Sequence, residues 1–66
     1  MKLKIFNEIE IKIAEVSSEI IPSIGDTLCF YDTNCQYQIA VVTKRSIDYG
    51  LAGVFEVINI ITDFPE

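Results

Sequence analysis

Tyr37-Gln38-Ile39-Ala40-Val41-Val42-Thr43-Lys44-Arg45-Ser46-Ile47-Asp48-Tyr49 is the stretch whose reading decides the fold. Its odd positions are β-branched or aromatic except Arg45, and only Thr43 and Arg45 among them are polar. Such period-2 alternation is what a half-buried strand requires, because successive side chains leave opposite faces of a sheet. At about 3.3 Å per residue the stretch would reach roughly 43 Å, whereas a compact chain of this length is only about 28 Å across. The strand must therefore bend or break, and Lys44 and Arg45 mark residues 43–46 as the place. Coiled strands that pass from one sheet to another are how small barrels close.

On its C-terminal side, Gly50-Leu51-Ala52-Gly53 reverses the chain and a last strand runs over residues 54–61. Placing Tyr49 opposite Phe55 sets Ile47 against Val57, Arg45 against Asn59 and Thr43 against Ile61, so that polar faces polar and apolar faces apolar. The other face of that strand carries Val54, Ile58 and Ile60, with Glu56 its single charge. A strand apolar on both faces is either central in the core or covered by another chain. Residues 62–66 are polar apart from Phe64, and Pro65 ends any pairing there.

On the N-terminal side, Asp32-Thr33-Asn34-Cys35 supplies turn chemistry between a strand over residues 28–31 and the strand that Gln36 begins. A tight hairpin centred on Thr33 and Asn34 puts Phe30 opposite Tyr37 and Leu28 opposite Ile39, all four facing inward. Tyr37 and Tyr49 then belong to the core, and Tyr31 looks outward. Before this hairpin, Pro22 and Gly25 mark a loop, since proline pushes Ile21 into extended geometry and glycine tolerates positive φ.

The first segment, residue 2 to about residue 16, has apolar odd positions except Asn7 and the terminal Glu15. Asn7, with Phe6 on the nominally polar side, fits a bulge that switches the phase of one long strand. A helix from Asn7 competes with this reading, because Ile9, Ile13, Val16 and Ile20 also follow helical spacing and Asn7 with Glu10 resembles a capping pair. The repeated isoleucines favour the strand.

The 66 residues carry ten carboxylates against five cations, a net charge of −5, and half of them are hydrophobic. One domain over residues 1–66 with one core follows, of stability on the order of 3–10 kcal/mol. Phosphate backbones are gripped by clustered Lys and Arg, and only Lys44 and Arg45 are adjacent, so the charge argues against a general nucleic-acid binder. The acids are spread along the chain, which suits solubility better than mimicry of nucleic acid. No apolar run is long enough to span a bilayer and the amino terminus lacks a secretory layout, so a cytoplasmic protein is expected. Cys29 and Cys35 fall opposite Gln38 and Asp32 in the expected register, which makes them free thiols, the usual state in a reducing compartment.

The chain contains no histidine. A cysteine or serine nucleophile thus lacks its usual base, and two thiols without a histidine cannot complete a structural zinc site. Asp26, Asp32, Asp48 and Glu56 are the carboxylates that could approach one another, but turns commonly hold such residues for backbone hydrogen bonds. Gly25, Gly50 and Gly53 lie at turns rather than in a phosphate-binding loop. No catalytic, cofactor or metal residue is assigned.

The run Ile21-Pro22-Ser23-Ile24-Gly25-Asp26-Thr27-Leu28, followed by an aromatic strand, a turn, Tyr37-Gln38-Ile39 and Val41-Val42, resembles the layout of small SH3-like barrels. In these a Pro-x-hydrophobic-Gly-Asp turn leads into the second strand and a tyrosine opens the third. The resemblance covers about residues 21–61, and short acidic β proteins of this kind look similar to products of phages and mobile gene cassettes. There is no tryptophan and no acidic specificity-loop run, so polyproline recognition is not implied.

The expected fold is all-β, a five-stranded SH3-like barrel, with an OB-like barrel or an α+β fold with an N-terminal helix as alternatives. The expected function is a non-enzymatic protein-interaction module, self-associating as a homodimer, with Val42, Ile58 and Ile60 on its contact surface. The alternative is a single-stranded nucleic-acid binder using Tyr31, Lys44 and Arg45. An acidic inhibitor that mimics nucleic acid comes third.

Overall fold

The structure is a computed structural model and is described here for residues 1–50 and 56–65. Five strands, β1 (Lys2–Phe6), β2 (Lys12–Ser17), β3 (Thr27–Tyr31), β4 (Tyr37–Tyr49) and β5 (Glu56–Thr62), form one sheet in the order β2-β1-β5-β4-β3. The sheet curls into a small, nearly closed all-β barrel, and no helix among the described residues is long and apolar enough to cross a membrane. All neighbours are antiparallel except β1 and β5, which run parallel.

The long alternating strand behaves as its length demands. β4 pairs with β3 through its first half and with β5 through its second, and a register shift between Val42 and Lys44 marks the handover. That irregularity falls at the start of the 43–46 stretch. It lets one strand serve two walls of a body whose principal extents are 35 × 23 × 21 Å.

The first segment is not one bulged strand but a hairpin, and neither is it a helix. The backbone N–H of Asn7 donates to the Ile11 carbonyl at 2.9 Å, and the N–H of Glu10 donates to the Asn7 carbonyl at 3.0 Å. The Asn7 side-chain oxygen accepts from the N–H groups of Ile9 (3.1 Å) and Ile11 (2.9 Å). A capping residue would offer a helix the same acceptor, but Glu10 takes φ +62°, which turns the chain back along β1 instead.

The loop after β3 repeats this chemistry. The N–H of Asp32 donates to the Gln36 carbonyl, the N–H of Cys35 to the Asp32 carbonyl, and the Asp32 carboxylate accepts from the N–H groups of Asn34 and Gln36. Cys35, at φ +61°, occupies the position of Glu10. Each loop is thus a turn followed by a left-handed residue, a connection one residue longer than a two-residue hairpin. The extra residue shifts the register of β3 on β4 by one: Tyr31 faces Tyr37, Cys29 faces Ile39 and Leu28 faces Ala40. A slip of one residue exchanges the two faces. Tyr37 and Ile39, expected inward, lie outside, while Leu28, Phe30, Gln38 and Ala40 form the inner row.

β5 on β4 also differs by one residue from the expected register, with Tyr49 opposite Glu56, Ile47 opposite Ile58 and Arg45 opposite Ile60. Pairing by like polarity misjudged which face of β5 points in. Ile58, Ile60 and Thr62 point into the barrel, where Leu3 and Ile5 of β1 lie against Ile58 and Ile60. The bulge at the handover supplies the additional residue on β4. The expected Tyr49–Phe55 pair, the turn over residues 51–53 and Val54 lie outside the described residues.

Two apolar clusters fill the interior. Leu3, Val42, Ile58 and Ile60 form one, and Ile5, Ala14, Phe30 and Ala40 the other. Thr62 is the polar exception on the inner face of β5; its hydroxyl donates to the Phe6 carbonyl at 2.8 Å and accepts from the Phe64 N–H at 3.3 Å. Burial of that hydroxyl is offset by these two bonds, the first of which ties the end of β5 to the end of β1.

Candidate interaction site

Val42, Ile58 and Ile60 do not form a contact surface. They are 1%, 0% and 0% exposed within a single chain. The doubly apolar strand is explained by the sheet order instead: β5 is the central strand, flanked by β1 and β4. Apolar side chains on its inner face are covered by the chain's own core, so no second molecule is needed to bury them.

The apolar residues left outside are elsewhere. On the outer face of the β3–β4 hairpin, three successive cross-strand pairs, Thr27–Val41, Cys29–Ile39 and Tyr31–Tyr37, lie side by side. Tyr31, Tyr37 and Ile39 are 67%, 56% and 60% exposed, and Cys29 and Val41 are also exposed. The two tyrosine rings meet edge to face with centroids 5.4 Å apart. Proximity to the Cys29 thiol, through side-chain hydrogen bonding and then charge, pushes the Tyr37 hydroxyl up from its ordinary 10.0. No ionisable acid or base of the carboxylate or amine type belongs to these six positions. Sequence reasoning missed this strip for a definite reason: the signal was the left-handed residue at Cys35, and only glycine or asparagine commonly announces one.

Tyr31, Lys44 and Arg45 are not brought together. Tyr31 sits at the loop end of β3, opposite Tyr37, and Arg45 lies eight residues further along β4, roughly 26 Å of extended strand. Arg45 pairs with Ile60 on the inner face, where its guanidinium donates to the Pro22 carbonyl at 3.1 Å. Lys44 is on the opposite face from Arg45, since adjacent residues of a strand alternate. The aromatic strip therefore lacks the cations that would pair a phosphate backbone.

Five of the carboxylates do local work. The Asp26 carboxylate accepts from the Ser23 N–H at 2.7 Å, Asp63 from the Val41 N–H at 2.9 Å, and Asp48 from the Asn59 amide at 2.7 Å. Asp32 is held below its ordinary 3.8 by the backbone N–H of Gln36, the Gln38 side chain and the Asn34 N–H, in that order. Glu15 is held below its ordinary 4.5 chiefly by its hydrogen bond with Lys2, from which it lies 3.4 Å, with Lys12 at 3.6 Å. Among the described residues no three His, Cys, Asp or Glu side chains gather as a metal site. Cys29 and Cys35 are both free and exposed.

A second feature lies where the barrel fails to close. β2 and β3 are the two ends of the sheet order, and between them runs a groove of about 760 Å³. Leu3, Val16, Leu28 and Phe30 are among its apolar lining, and Glu15 and Asp26 are its carboxylates. Among the described residues one backbone bond crosses the gap, from the Thr33 N–H to the Ile13 carbonyl at 3.1 Å. Comparison of the chain with known protein families, with curated proteins and with solved structures finds no match.

Proposed function

We propose that this protein is a non-enzymatic interaction module that associates with a second copy of itself through the outer face of the β3–β4 hairpin. The observation that carries the reading is the strip Cys29, Tyr31, Tyr37, Ile39 and Val41, apolar, contiguous and open to solvent. Apolar side chains scattered singly over a surface need no explanation, but contiguous ones mark a contact site. Charge permits a copy of the same chain as the partner there. Two molecules of net charge −5 repel each other, and a strip without carboxylates is where they can meet at least cost. A twofold axis through the strip would pair it with itself. The free thiols fit a reducing compartment, and we place the protein in the cytoplasm on that ground. The likeness to SH3-like barrels is retained only as part of this proposal, resting on the Pro22 to Asp26 turn and on Tyr37 opening a strand.

Light scattering over a wide range of protein concentration tests it. The mass is expected to rise from one chain to two, and Ile39→Lys to hold it at one chain while changing stability by no more than about 0.5 kcal/mol. A mass of one chain at every concentration, or an unchanged dimer in Ile39→Lys, overturns the proposal.

A further inference from the structure

We infer that the open seam between β2 and β3 is a second binding site, one that uses the backbone edges of these strands rather than the side chains of the outer face, which takes an extended segment of a partner protein as an inserted strand carrying alternate apolar residues and a cation. The argument begins with the direction of backbone groups. In a strand the N–H and C=O of one residue point the same way, and those of the next residue point the opposite way. On β2, Ser18 donates to Met1 and so points toward β1, whereas the Ile13 carbonyl accepts from Thr33 across the gap. Ile13, Glu15 and Ser17 therefore turn their backbone groups into the seam. On β3, Asp32 bonds Gln36 and the Asp26 carbonyl accepts from the Val42 N–H, so the even residues point toward β4. Thr27, Cys29 and Tyr31 are left facing the seam from the other side.

Two rows of backbone donors and acceptors thus look at each other across an apolar floor, and among the described residues only the Ile13–Thr33 bond spans them. Natural sheet edges that are not meant to pair carry charges or proline. The sequence of β3, Thr-Leu-Cys-Phe-Tyr, has neither. The groove is bounded by an edge on each side, which suits one inserted strand of about five residues better than the edge of a second sheet. β2 and β3 run in opposite directions, so the guest is parallel to one and antiparallel to the other. Its inward side chains lie on Val16, Leu28 and Phe30. Charge completes the description. Glu15 and Asp26 line the groove without a single Lys or Arg among its described lining, and Glu15 already holds Lys2 and Lys12. Asp26 is the carboxylate left to receive a cation of the guest.

The test uses the full chain and a fluorescent peptide of alternating valine and lysine residues, read by anisotropy. Saturable binding is expected, weakened at least tenfold when the peptide is N-methylated at its odd nitrogens and likewise at its even ones, because alternate residues bond opposite edges. Cys29→Pro removes an N–H that faces the seam and, like Cys29→Ala, replaces the thiol, so it should fold and bind at least tenfold more weakly, while Cys29→Ala binds as the natural chain does. Asp26→Asn keeps the acceptor for Ser23 and should weaken binding severalfold. Hydrogen exchange guards against misfolded variants: in the free protein the Glu15, Ser17, Cys29 and Tyr31 amides should exchange fast and become protected with peptide bound. Sensitivity to only one set of methyl groups would mean addition to a single edge and overturns insertion. Indifference to both, slow exchange at Glu15 and Tyr31 without peptide, or loss in Cys29→Pro of a dimer that Cys29→Ala keeps, which would put a second copy at the edge, also overturns it.

Discussion

Ile58→Ala separates a residue buried by its own chain from one buried by a partner. Ile58 lies between β1 and β4 with no exposed surface, opposite Leu3 on one side and Ile47 on the other. Truncation removes three carbons, about 2.4 kcal/mol of transfer free energy at about 0.8 kcal/mol for each. The rigid sheet around it cannot collapse fully, so a cavity term raises the loss to about 3–4 kcal/mol. That is a third or more of what a chain of this size has available, and at roughly 4–8 °C for each kcal/mol the midpoint of thermal unfolding should fall by about 12–30 °C. Ile39→Ala, on the outer strip, is expected to change monomer stability by no more than about 0.5 kcal/mol. The assay is urea unfolding of both variants at two widely separated protein concentrations. The Ile58→Ala loss should be the same at both, because the side chain is covered within one molecule. A loss below about 1 kcal/mol, or one that vanishes on dilution, would refute the reasoning and return Ile58 to an intermolecular surface.

Three further outcomes follow from the loops and charges. Asn7→Ala deletes the acceptor of two backbone N–H groups at a buried position and should cost about 1–3 kcal/mol in denaturant unfolding, with a loss below 0.5 kcal/mol contradicting the loop geometry. Cys35→Gly, at φ +61°, should raise the unfolding midpoint, since relief of about 1–2 kcal/mol of left-handed strain exceeds the roughly 0.5–1 kcal/mol of added chain entropy, and a lowered midpoint would disprove it. Asp32 and Glu15 are depressed in the folded state, so the stability they contribute is complete above their ordinary values of 3.8 and 4.5 and is lost as pH falls through the lowered ones. Acid unfolding should accordingly set in below about pH 4.5, and Asp32→Asn should flatten the stability profile there; an unchanged slope would contradict the assignment.

The sequence by itself determined that the protein is a small barrel of five strands. Alternation at period two requires strands, and thirteen alternating residues cannot lie straight in so short a chain, so the bend at the start of residues 43–46 was legible. The number of strands was legible while their partition was not. Residues 2–17 fold as two strands where one was expected, and β4 bends without breaking, so the strand entered through Pro22 and Gly25 is the third. Left-handed backbone at Glu10 and Cys35 is the reason, because neither residue type announces that conformation and each adds the residue that sets a register. Faces are a matter of parity, so a single undeclared residue exchanged Tyr37 and Ile39 with Gln38 and Ala40. Only the tertiary structure could decide which apolar face of β5 the barrel keeps, since an apolar strand reads the same whether its own chain or another covers it. The order β2-β1-β5-β4-β3 settles this by setting β5 at the centre and leaving β2 and β3 as edges. Strand order depends on contacts between residues far apart in the chain, and local alternation carries no record of them.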